Sequence, residues 1–357
     1  MQEVMHMATM KDVADLAGVS TATVSHVVNG TKRLSPETTE RVLLAIEQVK
    51  YNPNTAAKSL RSGQSNTIGV LVEDIRGLPV PGIVSGIEEV LTRSGYRMLL
   101  YDLHLLEKLF NQYDQISTYH TRVNNAIALL LSSNADGIIF VGIHDRRIQS
   151  LFDPIDKPLV IAYSLGTAQD TYVSYSNFDS AAQLTRLLIG KGHKRIALIA
   201  GHPDSYPTAR RIGGFMHAMQ EAGLDVPPSY IVQGDWEYES GFEQTNKLLA
   251  LSEPPTAIFA MNDLMAAGCF HALNAVGLRI PEDISVIGFD NREISRFLQP
   301  PLTTIELPTR EMGIQSAIRL IDMIRNPSMP PRPSIIPCSL IDRASVSAPS
   351  TKHNLCP

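Results

Sequence analysis

The chain has 357 residues, enough for two or three domains and a sizeable core. Hydrophobic residues make up 44% and charged residues 19%, which excludes a largely disordered chain, and no uncharged apolar run approaches the ~18 residues of a membrane-crossing helix. The net charge of −5 speaks at first sight against a nucleic-acid partner.

That charge is unevenly spread. Residues 1–63 carry seven bases and six acids, and the remainder carries 24 bases and 30 acids. A near-neutral head therefore precedes an acidic body. Met1–Met10 has no apolar segment of the kind a secretory signal needs. Cys269, Cys338 and Cys356 are odd in number and widely spaced, so neither a disulfide framework nor a zinc set is expected. The expectation is a cytoplasmic protein with no cofactor and no metal.

Three short helices are predicted in the head. The first runs from Lys11 to Leu16 and ends in the turn Ala17-Gly18-Val19-Ser20. Ser20 is placed to cap a second, Thr21 to Val28, which Asn29-Gly30 terminates. Ser35 and Pro36 start a third, Glu37 to about Val49, with Val42, Leu43, Ile46 and Val49 at helical spacing. Ala14 at a close helix contact and Gly18 at a positive-φ turn are what a helix-turn-helix requires, with Val13, Ala17, Val19, Val24 and Val27 facing inward. In that motif the second helix enters the major groove by its N-terminal end. Thr21, Ala22 and His26 then face base edges, and Ser20, Thr23, Ser25, Asn29 and Lys32 suit phosphate. The bland alternative for His26 is a surface helix position.

Residues 51–66 read as a linker whose centre, Asn54 to Arg61, is about two helical turns long, too short to fold without a partner. Beyond Thr67, short apolar strands alternate with amphipathic stretches: Ile68–Val72, Met98–Tyr101, Gly137–Val141, Leu159–Tyr163, Ile196–Ala200, Tyr230–Gln233, Ala257–Ala260 and Val286–Phe289. Two groups of four imply two doubly wound, parallel-sheet subdomains. Leu302–Glu306, a helix from Thr309 to Arg325 and Ile335–Ile341 return the chain between them. Ligands in such sheets bind beyond the strand carboxyl ends, which selects Asp74, Arg211, Trp236, Asn262, Asp263, Asp290 and Asn291. The bland alternatives are a core aromatic for Trp236, a structural ion pair for Arg211, a backbone cap for Asp290 and a helix cap for Asp263.

The run from Met10 to Asn29, MKDVADLAGVSTATVSHVVN, resembles the head of the lactose repressor family of bacterial transcription regulators. Asn52 to Arg61, NPNTAAKSLR, resembles that family's hinge helix, and the similarity runs from about Thr9 to Ser345. The resemblance implies a helix-turn-helix head over 8–51, a hinge over 52–66, and a periplasmic-binding-protein-like body over 67–346. The body divides into a first subdomain of about 67–164 plus 293–326 and a second of about 165–292 plus 327–346, leaving a flexible tail over 347–357. It implies hinge contacts to the minor groove from Asn54, Ala57 and Lys58, with Leu60 wedged into a base step. It also implies an effector set of Asp74, Val80, Ser176, Arg211, Trp236, Asn262 and Asp290.

The sequence departs from the family in three places. The turn after the first strand is Gly77-Leu78-Pro79-Val80, without aromatics; Ser176 stands before Asn177; and residues 102–131 are about ten longer than usual, with His104, Tyr113, Tyr119 and His120 among them. The implied function is a repressor that binds a near-palindromic operator as a homodimer or higher oligomer. Asn262 and Trp236 favour a carbohydrate-type effector that releases DNA; the alternative is a corepressor-dependent regulator sensing a purine or other metabolite. A solute-binding protein is disfavoured by the DNA-binding head, and an enzyme by the lack of a phosphate loop or nucleophile set.

Overall fold

The computed structural model describes residues 8–29, 32–51, 65–110, 112–113, 115–148 and 150–350, with the side chain of Asn29 left out. The chain divides into two units, residues 1–65 and 66–357.

In the first unit the helices are Met10–Ala17, Thr21–Asn29 and Pro36–Gln48. Thr9 opens the first with a reciprocal cap: its hydroxyl accepts from Asp12 N, and its own N–H donates to the Asp12 carboxylate at 2.7 Å. Gly18 ends it at φ +62°, so Val19 N can reach back to Ala14 O at 3.0 Å. Only a residue without Cβ adopts that turn cheaply. Val13, Ala14, Ala17, Val24, Val42 and Ala45 form a small buried core. Arg41 ties the third helix to the turn by donating to Ala17 O at 3.0 Å.

The second unit contains two parallel sheets. Six strands, β1 (Thr67–Val72), β2 (Arg97–Asp102), β3 (Gly137–Val141), β4 (Leu159–Ala162), β5 (Thr171–Tyr175) and β11 (Ser334–Ile336), lie in the order β11-β5-β4-β3-β1-β2. Four more, β6 (Ile196–Ala200), β7 (Ile231–Gln233), β8 (Ala257–Ala260) and β9 (Ser285–Ile287), lie in the order β7-β6-β8-β9. β1, β3, β6 and β8 are buried along their whole length, as strands covered on both faces must be. An antiparallel pair, β10 (Thr304–Glu306) and β12 (Ser339–Ile341), runs beside the end of β9, where Gly288 N donates to Thr303 O and Asp290 N to Ile305 O, both at 2.9 Å.

Close-packed helices cover the sheets. The Val80–Arg93 and Thr309–Arg325 helices meet at Gly86 and Gly313, where an added Cβ would lie 2.1 Å from Arg310 O and 2.0 Å from Ile83 O respectively.

Two expectations about chain partition are corrected. β5 and β11 hydrogen-bond into the first sheet, although residues 165–292 and 327–346 were expected in the second subdomain. The Thr171–Tyr175 segment mixes polar and apolar residues, so it lacks the continuous apolar run that marks a buried strand. The chain therefore leaves the first sheet after Tyr175. The expected flexible tail also starts too early. Ser347 N donates to Ser285 Oγ at 3.1 Å, and Ser347 O lies 2.9 Å from the His193 ring.

Candidate functional site

The second helix of the head presents Thr21 and Ala22 to solvent, with His26 and Ser25 half-buried on the same helix. Val24 is fully buried and fixes the helix's rotation. The Ser20 hydroxyl is committed locally, accepting from Thr23 N at 3.1 Å and bonding Thr23 Oγ1 at 2.9 Å. Ser20 and Thr23 are thus the helix's own cap. Lys32 is exposed. The expected contacts at Asn54, Ala57, Lys58 and Leu60 lie outside the described residues.

In the body a cavity of about 450 Å³ opens between the carboxyl ends of the two sheets. The first sheet contributes Asp145 after β3, Tyr163 after β4 and Tyr175 at the end of β5; the second contributes Arg211, Trp236, Asn262 and Asp290. Arg211 is the hub. It donates from Nε to Asn177 Oδ1 at 2.8 Å, to the Met261 carbonyl, and to the Tyr175 hydroxyl at 3.3 Å. Its guanidinium carbon lies 3.5 Å from the Phe289 ring centre and 5.5 Å from that of Trp236. Asp290 stands 3.7 Å from both Arg211 and Arg292. Burial raises the Asp290 carboxyl's pKa, and the two arginines oppose that rise.

Trp236 holds φ +79°, Tyr163 +63° and Asp290 +107°. Such backbone is costly for bulky or charged residues, and all three of these line the cleft. Asn262 helps hold Trp236: its Nδ2 donates to the Trp236 carbonyl at 2.8 Å. Gly201 leaves the space beneath the indole; a Cβ there would sit 2.0 Å from the ring.

Three expected ligand contacts are corrected. Arg76 grips the buried Asp74 carboxylate through two nitrogens at 3.0 Å, and Leu106 N adds a bond at 3.1 Å. That grip holds Asp74 down at about 2 and leaves it a structural anchor. Val80 starts the Val80–Arg93 helix with its side chain fully buried in the core; its neighbours Leu78 and Pro79 line the cleft instead. Ser176 caps the Asn177–Gly190 helix, accepting from Asp179 N at 3.1 Å, and does not line the cavity.

Asn262 does line the cavity, but its side chain is occupied twice, since Oδ1 also caps the Asp263–Ala275 helix through Met265 N at 2.8 Å. Asp263, expected as that cap, instead accepts from Thr304 Oγ1 at 2.6 Å and Arg292 N at 2.7 Å, which ties the second sheet to the returning chain. Asn291 is likewise structural, bonded to Glu306 and Arg343.

Asp145, Tyr163, Tyr175 and Arg292 were missed. The same strand-end rule finds the first three: each lies at or just beyond the end of β3, β4 or β5. Asp145 accepts from Ser174 at 3.3 Å and Asn177 at 2.5 Å, and burial pushes its pKa up to about 7.

Among the described residues, one trio, Asp74, Asp102 and His104, is close enough to suggest a cation site. Arg76 already supplies its positive charge. No described helix is long and apolar enough to cross a membrane.

Known proteins share both units. The family model described as bacterial regulatory proteins, lacI family, matches residues 9–54, and that of a periplasmic binding protein-like domain matches 185–346. The HTH-type transcriptional repressor PurR of Actinobacillus pleuropneumoniae serotype 3 is 37% identical over 322 residues, covering 89% of this chain and 92% of that protein. PurR of Pasteurella multocida is 35% identical over 325 residues, covering 90% and 93%. Among solved structures, the lac repressor dimer bound to operator and the anti-inducer ONPF superposes with a TM-score of 0.77 at 28% identity, covering 96% of this chain and all of that one. A complex of the transcriptional regulator CelR with cellobiose gives 0.64 at 30%, covering 95% and 99%.

Proposed function

The chain belongs to the lacI family of bacterial regulatory proteins and is a DNA-binding transcriptional repressor rather than an enzyme, and from that premise we propose that its effector is a purine base acting as corepressor. The repressor binds its operator as a dimer, as the lac repressor does in its complex with DNA. Thr21, Ala22 and His26 read base edges, and the hinge residues carry the minor-groove contacts.

The observation that carries the effector assignment is the Arg211–Asp290–Arg292 group beneath Trp236. It sets donors and an acceptor side by side on the wall of a cleft rich in aromatic residues. Arg292 Nε is buried and, among the described residues, makes no hydrogen bond, pairing with Asp290 Oδ2 only at 3.7 Å, so a ligand atom can take up this donor. A purine offers a flat ring to the indole and alternating in-plane donors and acceptors to the charged group. The carbohydrate reading leaned on Asn262 and Trp236; the Asn262 amide is spent on a helix cap and on the Trp236 carbonyl, and the Trp236 indole serves a flat base as well as a sugar face. The PurR relatives, at 35–37% identity, also favour the purine reading over a sugar.

A ligand held by both sheets stabilises one relation between the subdomains, and that coupling is how occupancy alters operator affinity. The test is a titration of the full chain with adenine, guanine, hypoxanthine and cellobiose, followed by Trp236 fluorescence and by operator gel shift. A purine base should change the emission and tighten operator binding. Release of operator by cellobiose, with the bases silent, overturns the assignment.

A further inference from the structure

The connection from β2 to β3 is long, and it starts and ends in the first sheet. Its contacts nonetheless reach across the cleft. Tyr113 is buried there, only 6% exposed. Its ring centre lies 4.6 Å from that of His144, which follows β3. It also lies 5.3 Å from that of His202, which follows β6 in the other sheet. Trp236, which follows β7, lines the same cavity and acts on the Tyr113 hydroxyl, opposing the rise in its pKa. One side chain of the first subdomain thus touches two loops of the second. Leu106 and Phe110, from the same connection, line the cavity beside it.

The turn after β1 gives the cavity only Gly77, Leu78 and Pro79. On that side the aromatic surface comes from the long connection. Burial keeps the Tyr113 phenol protonated, with its pKa pushed up to about 12, and holds the neighbouring His144 down at about 4. Near neutral pH the contact is therefore between uncharged rings, which suits stacking on a flat neutral ligand.

We propose that Tyr113 is a specificity-determining wall of the cleft, facing Trp236, and that it closes the cleft's mouth over the ligand. A ring on each side makes a slot that admits a planar molecule and excludes a thicker one. Because Tyr113 spans both subdomains, the ligand enters only when its contact with Trp236 opens. The wall role rests on the cleft being the effector site; the closure does not depend on the ligand's identity.

Trp236 is the sole tryptophan, so closure can be read without ligand. Acrylamide quenching of the full-length wild type is compared with Tyr113→Phe and Tyr113→Ala. The alanine variant should expose the indole and raise the quenching constant, whereas phenylalanine keeps the ring and stays near wild type. Tyr113→Leu takes alanine's place if that variant does not fold. Unchanged quenching on loss of the ring overturns the closure. Adenine, guanine and hypoxanthine are then titrated by calorimetry. Loss of the ring should weaken the binding base by about tenfold, with phenylalanine restoring most of it. Equal affinity with and without the ring overturns the wall. If the wild type binds none of the three, the effector assignment fails, and the quenching comparison alone decides whether Tyr113 closes the cleft.

Discussion

Asp145 shows how one buried carboxyl leaves a mark on the whole protein. Burial lifts its pKa to about 7 from an ordinary 3.8, against the opposing bonds from Ser174 and Asn177. The folded chain therefore keeps a proton that the unfolded chain gives up. The stability this provides is complete below about pH 3.8 and is lost as the pH rises through 7. In Asp145→Asn that decline should disappear. Between pH 4 and 7 the stability difference, wild type minus variant, should fall by about 1.4 kcal/mol per pH unit, measured by urea unfolding. His144 titrates in both chains and cancels from the difference. A flat difference means that Asp145 is ionised in the fold. Arg211, Trp236 and Asp290 were legible in the sequence because residue type and position beyond a strand agree. Val80 and Ser176 were not, because a step of one residue decides whether a side chain faces the cleft, the core or a helix terminus.

Helices of the body meet at glycines, and this sets their separation. At Gly313 the backbone of the Val80–Arg93 helix occupies the place of a Cβ. Gly313→Ala should therefore destabilise the chain by roughly 1–3 kcal/mol through overpacking. Gly190, at the end of the Asn177–Gly190 helix, has nothing within 4 Å of its Cβ position. Gly190→Ala should then be neutral or slightly stabilising, since alanine is the better helix former. Urea midpoints of the two variants decide this, and equal losses would show that the Gly313 contact sets nothing. At this scale the sequence was most legible in helices with strong caps and in fully buried strands. Thr171–Tyr175 escaped, and Ile335–Ile341 was read as one segment rather than two strands in different sheets, because these are short strands of mixed polarity. Only pairing with β4 and β5 identifies such segments.

For the whole molecule, the −5 charge is the sum of −6 on the acidic body and about +1 on the head. Operator affinity must then draw heavily on base edges and on the hinge rather than on bulk charge. We propose that Leu60 wedges a base step. Leu60→Ala should lower operator affinity while thermal unfolding and dimer mass stay as in wild type; unchanged gel-shift affinity excludes the wedge. By itself the sequence determined the helix-turn-helix, the alternation of strand and helix, the family and the strand ends where a ligand could bind. These follow from local signals: caps, turn glycines, apolar periodicity and short motifs. Tertiary structure alone decided which sheet each short strand joins, which strand-end side chains line the cleft and which are spent on caps or ion pairs, and that Tyr113 meets His202 across the cleft. Those facts depend on groups far apart in the chain competing for the same hydrogen bonds and the same space.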